Sequence, residues 1–165
     1  MAMADPLTAS AQRVQDALDG LSAASQVVEL PASTRSAAEA AQAVGCRVEQ
    51  IAKSLVFRGL STNRPVLAVV SGANRVDEAR LGELVAEAVV KADADYVRQR
   101  TGYAIGGVPP VAHAEPLVCL IDEDLFGYDA IWAAAGTPRA VFRLTPVELQ
   151  QITRGRVVSV RGVRQ

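Results

Sequence analysis

Histidine, cysteine and lysine are scarce in this chain, and each scarcity closes a route. One histidine, His113, and two distant cysteines, Cys46 and Cys119, leave no C-x-x-C pair and no set of zinc-ligand spacing. The same two thiols give no disulfide framework. Net charge is almost absent: the formal value is -1, so the field of the whole molecule does not hold polyanions and any nucleic-acid contact needs a local patch. No apolar run reaches membrane-spanning length, and Met1–Pro6 has no basic and apolar leader pattern, so a cytoplasmic protein away from membranes is expected. G-x-G-x-x-G, G-x-x-x-x-G-K-[ST] and G-x-S-x-G are all missing, which removes the common dinucleotide, P-loop and serine-hydrolase signatures. Fifteen arginines stand against two lysines, so basic positions are overwhelmingly filled by Arg.

What is present is one domain's worth of chain. The 165 residues are 50% hydrophobic and 21% charged, a globular balance that can bury a sizeable core. The pattern predicts a helix over 8–20, a strand over 27–30 stopped by Pro31, and a helix opened by the Ser36–Glu39 capping box and ended by Gly45. A short helical segment over 48–52 leads into a buried strand over 54–57, and a second strand runs over 65–70. Asp77 opens a helix with Leu81, Leu84, Val85 and Ala88 on its apolar face, and Asp93 and Gly102 bracket another. Leu117–Ile121 is a buried strand, which makes Cys119 a core residue, and Asp122–Asp124 reads as a solvated turn. A strand-turn-strand pattern over 131–144 puts Trp132 in the core. A capped helix from Thr145 to Gly155 and a strand over 157–160 complete an α+β domain with a mixed sheet.

Two stretches carry chemistry. Thr101–His113 (TGYAIGGVPPVAH) packs three glycines, two prolines and the histidine into a loop whose Gly106, Gly107 and Val108 keep their N–H groups. Lys53 sits in the most apolar part of the N-terminal half, at the expected helix-to-strand junction. It is either a lysine snorkelling along the core or an ammonium held at the edge of a pocket. Arg154, Arg156, Arg161 and Arg164 make a basic tail, either solvated surface or a phosphate-backbone patch.

In order along the chain, TRSAAEAA from Thr34, QIAKSLVF from Gln50, TGYAIGGVPPVAH from Thr101 and AGTP from Ala135 resemble the YbaK family of aminoacyl-tRNA deacylases. These are free-standing relatives of the editing domain of bacterial prolyl-tRNA synthetases. The resemblance spans about 27–160 of a single domain covering 1–165, with the 8–20 helix as an extra. It implies a compact α/β domain with a mixed, curved sheet flanked by helices, working without metal or cofactor. It implies hydrolysis of the ester joining a small, wrong amino acid to its tRNA, most plausibly proline tRNA, with prolyl-tRNA synthetase as a further partner. The family's lysine falls on Lys53 and its G-x-x-x-P loop on Gly106–Pro110, making Lys53, Gly106, Gly107, Pro110 and His113 the catalytic candidates. Ala112 stands where relatives often have glycine before the histidine, and His113 is either a pocket wall, a brace of the loop or a general base. Thr34, Ser54, Ser71, Gly72, Val108, Gly136 and Thr137 are the candidates for substrate contact, and Arg154, Arg156 and Arg161 those for tRNA contact. A synthetase gains only about 1–3 kcal/mol from one methylene, so a second, hydrolytic site must remove its errors. The alternatives are a non-catalytic module binding tRNA or a synthetase, and a phosphate binder at the glycine loop.

Overall fold

Two apolar stretches of the N-terminal half become antiparallel neighbours at the middle of one sheet. They are β2 (Ile51–Gly59) and β3 (Pro65–Ser71), paired from Ala52↔Ser71 to Arg58↔Pro65 in the computed structural model, which describes residues 6–34 and 36–161. Every residue of β3 is buried, as a strand covered on both faces requires. The other strands are β1 (Val27–Glu29), β4 (Val89–Lys91), β5 (Val118–Asp122), β6 (Ile131–Ala134), β7 (Ala140–Leu144) and β8 (Arg156–Val158). Their order is β1-β7-β6-β2-β3-β5-β8, with β4 also paired to β2. The β2–β6, β3–β5 and β5–β8 pairs are parallel and the rest antiparallel, so the sheet is mixed.

Strand alternation sorts the core into two layers. Ala52, Val56, Leu67 and Val69 pack with Val14 and Leu18 of α1 (Ala9–Gly20), Val97 of α4 (Ala94–Thr101) and Leu149 of α5 (Pro146–Thr153). On the other face Phe57, Val66, Ala68 and Val70 meet Leu81 and Val85 of α3 (Glu78–Val85). Ile51 belongs to that second face and is covered, with Trp132, by α2 (Ala37–Val44). The α+β domain with helices flanking a mixed sheet is thus the observed architecture.

Local chemistry sets most boundaries. Ser36, Asp77, Asp93 and Thr145 each accept the N–H of the third residue of their helix, and Thr145 and Glu148 close a reciprocal box. Four expectations need correction. β2 starts at Ile51, after a single 3-10 turn over Val48–Gln50, so Lys53 lies inside a strand and not at a junction. α3 stops at Val85, short of the Ala88 expected on its apolar face, because Ala86 turns left-handed (φ 63), and Val89–Lys91, which no sequence pattern marks as a strand, forms β4. α5 ends on a left-handed Arg154 (φ 54), whereas Gly155 is needed for space: a Cβ there would lie 2.8 Å from Ile121 Cδ1. Asp122 is buried, not solvated, and accepts from Ser71 N, Asn74 Nδ2 and Asp124 N at 2.8–3.0 Å. Buried carboxylates persist only with such partners.

Candidate active site

The site arises from an interruption in hydrogen bonding along one edge of β2. On that edge Ile51 and Ala52 pair with β6, while Phe57, Arg58 and Gly59 pair with β4. Between them Lys53–Val56 has no strand neighbour, and only the Val56 carbonyl is met, by Ala92 N at 3.1 Å. A cavity of about 310 Å³ opens at this gap. Because the sheet is interrupted, both faces contribute walls: Ala37, Ala40 and Trp132 from the α2 side, Val97 and Val108 from the α4 side.

Lys53 lines this cavity and is half-buried. Desolvation is the main cause that lowers its pKa from the ordinary lysine value; the charges of Arg75 and Lys91 add to it and that of Asp122 opposes it. Among the described residues no carboxylate comes within ion-pair distance of its ammonium. The neighbouring Ser54 hydroxyl also lines the cavity and is buried with no hydrogen-bond partner among those residues. Consecutive in β2, the two reach the cavity from opposite faces of the sheet, and a partly desolvated cation and a buried hydroxyl without partners are costly unless something else meets them.

The glycine loop forms the opposite wall. Gly107 N donates to Ala104 O at 3.0 Å, and Gly106 takes φ 91, as the third position of a type II turn requires. Gly107 is pressed onto the β6–β7 turn: a Cβ on it would lie 2.7 Å from Thr137 Cα, and its carbonyl accepts from Gly136 N at 2.9 Å. Three bonds close the loop behind: Ala114 N to Thr101 O, Tyr103 Oη to Ala112 O and His113 Nε2 to Pro109 O, at 2.7–2.9 Å. The Gly107 N–H is therefore used within the turn. The N–H groups of Gly106 and Val108, both on the cavity, have no acceptor among the described residues.

Of the residues singled out in the sequence, Lys53, Ser54, Thr34, Gly106, Val108 and Thr137 come together around the cavity. Thr34 is fastened there by N and Oγ1, both donating to Pro138 O at 2.9 Å. Gly107 and Gly136 hold the two walls together without lining the space. Pro110 and His113 lie behind the loop, on a separate depression. A carbonyl oxygen only accepts, so His113 Nε2 carries the proton it gives to Pro109, and burial lowers the imidazole's pKa. That geometry suits a brace of the loop and gives a general base no route to the cavity. Ser71 is 2% exposed with its hydroxyl on Glu49 O, and Gly72 is wedged 2.4 Å (as a Cβ) from Val48 O, so both pack against the Val48–Gln50 turn and neither lines the cavity. Arg154 and Arg156 are exposed on the β8 side, while Arg161 lies 3.0 Å from Asp124 Oδ2. Arg164 and the Arg35 of the first motif lie outside the described residues. Trp132, expected in the core, is half-exposed on the cavity. Lys91 lines the cavity too and was not singled out, although the scarcity that marked Lys53 marks it equally.

The chemistry this arrangement permits is narrow. Among the described residues no carboxylate, imidazole or thiol lines the cavity. Burial pushes the Cys119 thiol up to about 11 and raises that of Cys46 as well, which leaves neither a thiolate nucleophile at neutral pH. What remains is a cation, a hydroxyl and two backbone donors around a mostly apolar space, a set that orients a carbonyl and stabilises an oxyanion.

Comparison with known proteins agrees. A model of the aminoacyl-tRNA editing domain matches residues 31–152. A solved protein proposed to be a trans-editing enzyme for prolyl-tRNA synthetase is 51% identical, with a TM-score of 0.90 over 96% of this chain and 100% of its own. The hypothetical protein APE2540 is 28% identical, with a TM-score of 0.84 over 90% of this chain and 98% of its own. The uncharacterized protein YwhH of Bacillus subtilis is 28% identical over 79% of this chain and 83% of its own. With the matched region reaching from the loop before α2 into α5, and the cavity walls inside it, the chain belongs to the aminoacyl-tRNA editing domain family.

Proposed function

We propose that the protein acts in trans to remove a small, wrongly attached amino acid from tRNA, with proline tRNA as its substrate. The hydrolase class follows from family membership. The observation that supports the mechanism is the placement, across one cavity, of the Lys53 ammonium and the Gly106 and Val108 N–H groups, none of which has a partner among the described residues. The ester carbonyl sits between them. Water adds to its carbon, the Gly106 and Val108 donors receive the charge developing on oxygen, and Lys53 supplies the positive field. With no protein base on the cavity wall among the described residues, a ribose hydroxyl of the tRNA next to the ester orients the water and relays its proton, accepting it as the water adds and passing its own to the neighbouring ester oxygen. The tetrahedral species then collapses with cleavage of the bond to that oxygen, releasing the free amino acid and the tRNA 3′ end with its ribose hydroxyl restored. Ala52, Ala92, Val97 and Ala133 make the walls close and apolar, which fits alanine, serine, threonine or cysteine and excludes aromatic side chains by overlap.

The test is release of free amino acid from a panel of aminoacyl-tRNAs by wild type and Lys53→Ala. Removal of one such electrostatic contact costs about 10²–10³ in rate, so Lys53→Ala is expected to lose at least that while keeping its urea midpoint. Binding of every panel member without turnover by wild type would make the protein a binding module instead. Full activity of Lys53→Ala would remove lysine from the mechanism.

A further inference from the structure

The only two lysines of the chain line the same cavity. The catalytic reading uses Lys53 and leaves Lys91 without a task. Register fixes their relation. Lys91 of β4 stands opposite Phe57 of β2, so the two share a face of the sheet, and Lys53, four residues back along β2, shares it as well. The two Cα atoms are thus separated by about 13 Å along the strand, at the two ends of the unpaired stretch. Neither ammonium has a hydrogen-bonded or ion-paired acid among the described residues, and each is close enough for its charge to act on the other. Lys53 is half-buried; Lys91 is exposed at the rim.

Two separated, unneutralised cations on one concave site call for a ligand with two polar ends. An aminoacyl nucleotide has them, with the ester on one side of the ribose and the 5′-phosphodiester on the other. A cavity of about 310 Å³ holds the acyl group and its immediate surroundings but not the rest of the RNA, so the phosphodiester that continues the chain lies at the mouth. We propose that Lys91 is a positioning residue that binds the phosphodiester joining the terminal nucleoside to the tRNA, and so sets the ester against Lys53 and the glycine loop. This rests on the deacylase reading. It accounts for lysine at an exposed strand edge, where a long, flexible stem carrying a compact charge meets a phosphate as a point contact.

The experiment compares two small esters, 2′(3′)-O-alanyl adenosine and 2′(3′)-O-alanyl adenosine 5′-phosphate, alongside alanyl-tRNA for proline, with wild type, Lys91→Ala, Lys91→Arg and Lys53→Ala. For Lys91→Ala the ratio of kcat/KM on the phosphorylated ester to that on the unphosphorylated one is expected to fall about tenfold, the loss appearing in KM, as for one charge-assisted contact. Lys91→Arg restores most of the ratio. On the tRNA, the slope of log kcat/KM against log salt becomes shallower by about 0.7 in Lys91→Ala, the value for one single-strand phosphate contact. An unchanged ratio and slope in Lys91→Ala, with wild type active, overturns the assignment while the deacylase reading stands. Wild type inactive on all three substrates overturns the deacylase reading and this assignment with it. Lys53→Ala, by contrast, loses rate on both small esters, which separates the two lysines.

Discussion

At the scale of single residues, partners decide what each candidate can do. Lys53 and His113 both look like catalytic groups in a sequence, yet one faces a cavity with no counter-ion among the described residues and the other is tied behind a loop. The imidazole gives the clearest residue-level test. Burial holds its pKa below the ordinary 6.5, with the Pro109 bond partly opposing. A base whose folded pKa is lowered contributes its full stability above the unfolded value. As pH falls below 6.5 the unfolded chain takes up a proton that the folded chain resists, and that stability is lost down to the folded pKa. Urea midpoints at pH 7.5 and 5.5 are expected to drop for wild type and to drop less for His113→Gln. Because this is the only histidine, no other side chain has an ordinary pKa in that window. Equal drops in the two proteins would show that the imidazole is not held neutral in the fold.

At the scale of elements, the site depends on two turns locked together. Gly107 and Gly136 approach neighbouring backbone too closely for any side chain: a Cβ on Gly136 would lie 2.7 Å from Ser10 O of α1. The N-terminal helix therefore acts as a buttress for the β6–β7 turn, and Arg13 adds a guanidinium over the Tyr103 ring at 5.2 Å. Gly107→Ala is expected to cost about 1–3 kcal/mol, since its clash is with backbone that cannot rotate away, and to reduce deacylation with it. Gly106→Ala has room, with Pro138 Cγ at 3.9 Å, but must hold φ near 91; about 1–2 kcal/mol is expected from that strain. Urea denaturation of both variants beside the deacylation assay checks the pair. A Gly107→Ala protein with wild-type midpoint and rate would show that the two turns need not touch.

For the whole molecule, the formal charge of -1 cannot hold tRNA by itself, so any hold on its phosphates needs a local patch. Arg154 and Arg156 lie on the β8 side, three strand spacings or about 14 Å from β2. We propose that this pair meets phosphates of the bound tRNA outside the cavity. Arg161, held by Asp124, is left out of the patch. Binding of uncharged proline tRNA across a salt series is expected to show a slope shallower by roughly 0.9 per lost duplex phosphate contact in Arg154→Ala/Arg156→Ala. Identical slopes would place those phosphates on another face. No helix among the described residues is long and apolar enough to cross a membrane.

The sequence by itself determined what depends on neighbours a few residues apart. Ser36, Asp77, Asp93 and Thr145 fixed helix starts because a capping side chain reaches only its own first turn. Continuous apolar runs marked the centre of β2, most of β3 and the β6–β7 hairpin, though not where β2 begins, and the ordered motifs were enough to place the chain among editing domains. Tertiary structure decided what depends on distance along the chain. Val89–Lys91 is too short to show a strand pattern and became β4 only by pairing with β2. The gap between β4 and β6, which makes the cavity, is a property of sheet topology that no local pattern carries. The same holds for Asp122, whose run of acids reads as a solvated turn until Ser71 and Asn74 arrive from 51 and 48 residues away. It holds for Lys91 too, which becomes a partner of Lys53 only when register brings both onto one face, because side-chain direction in a strand is fixed by what it pairs with and not by its own residues.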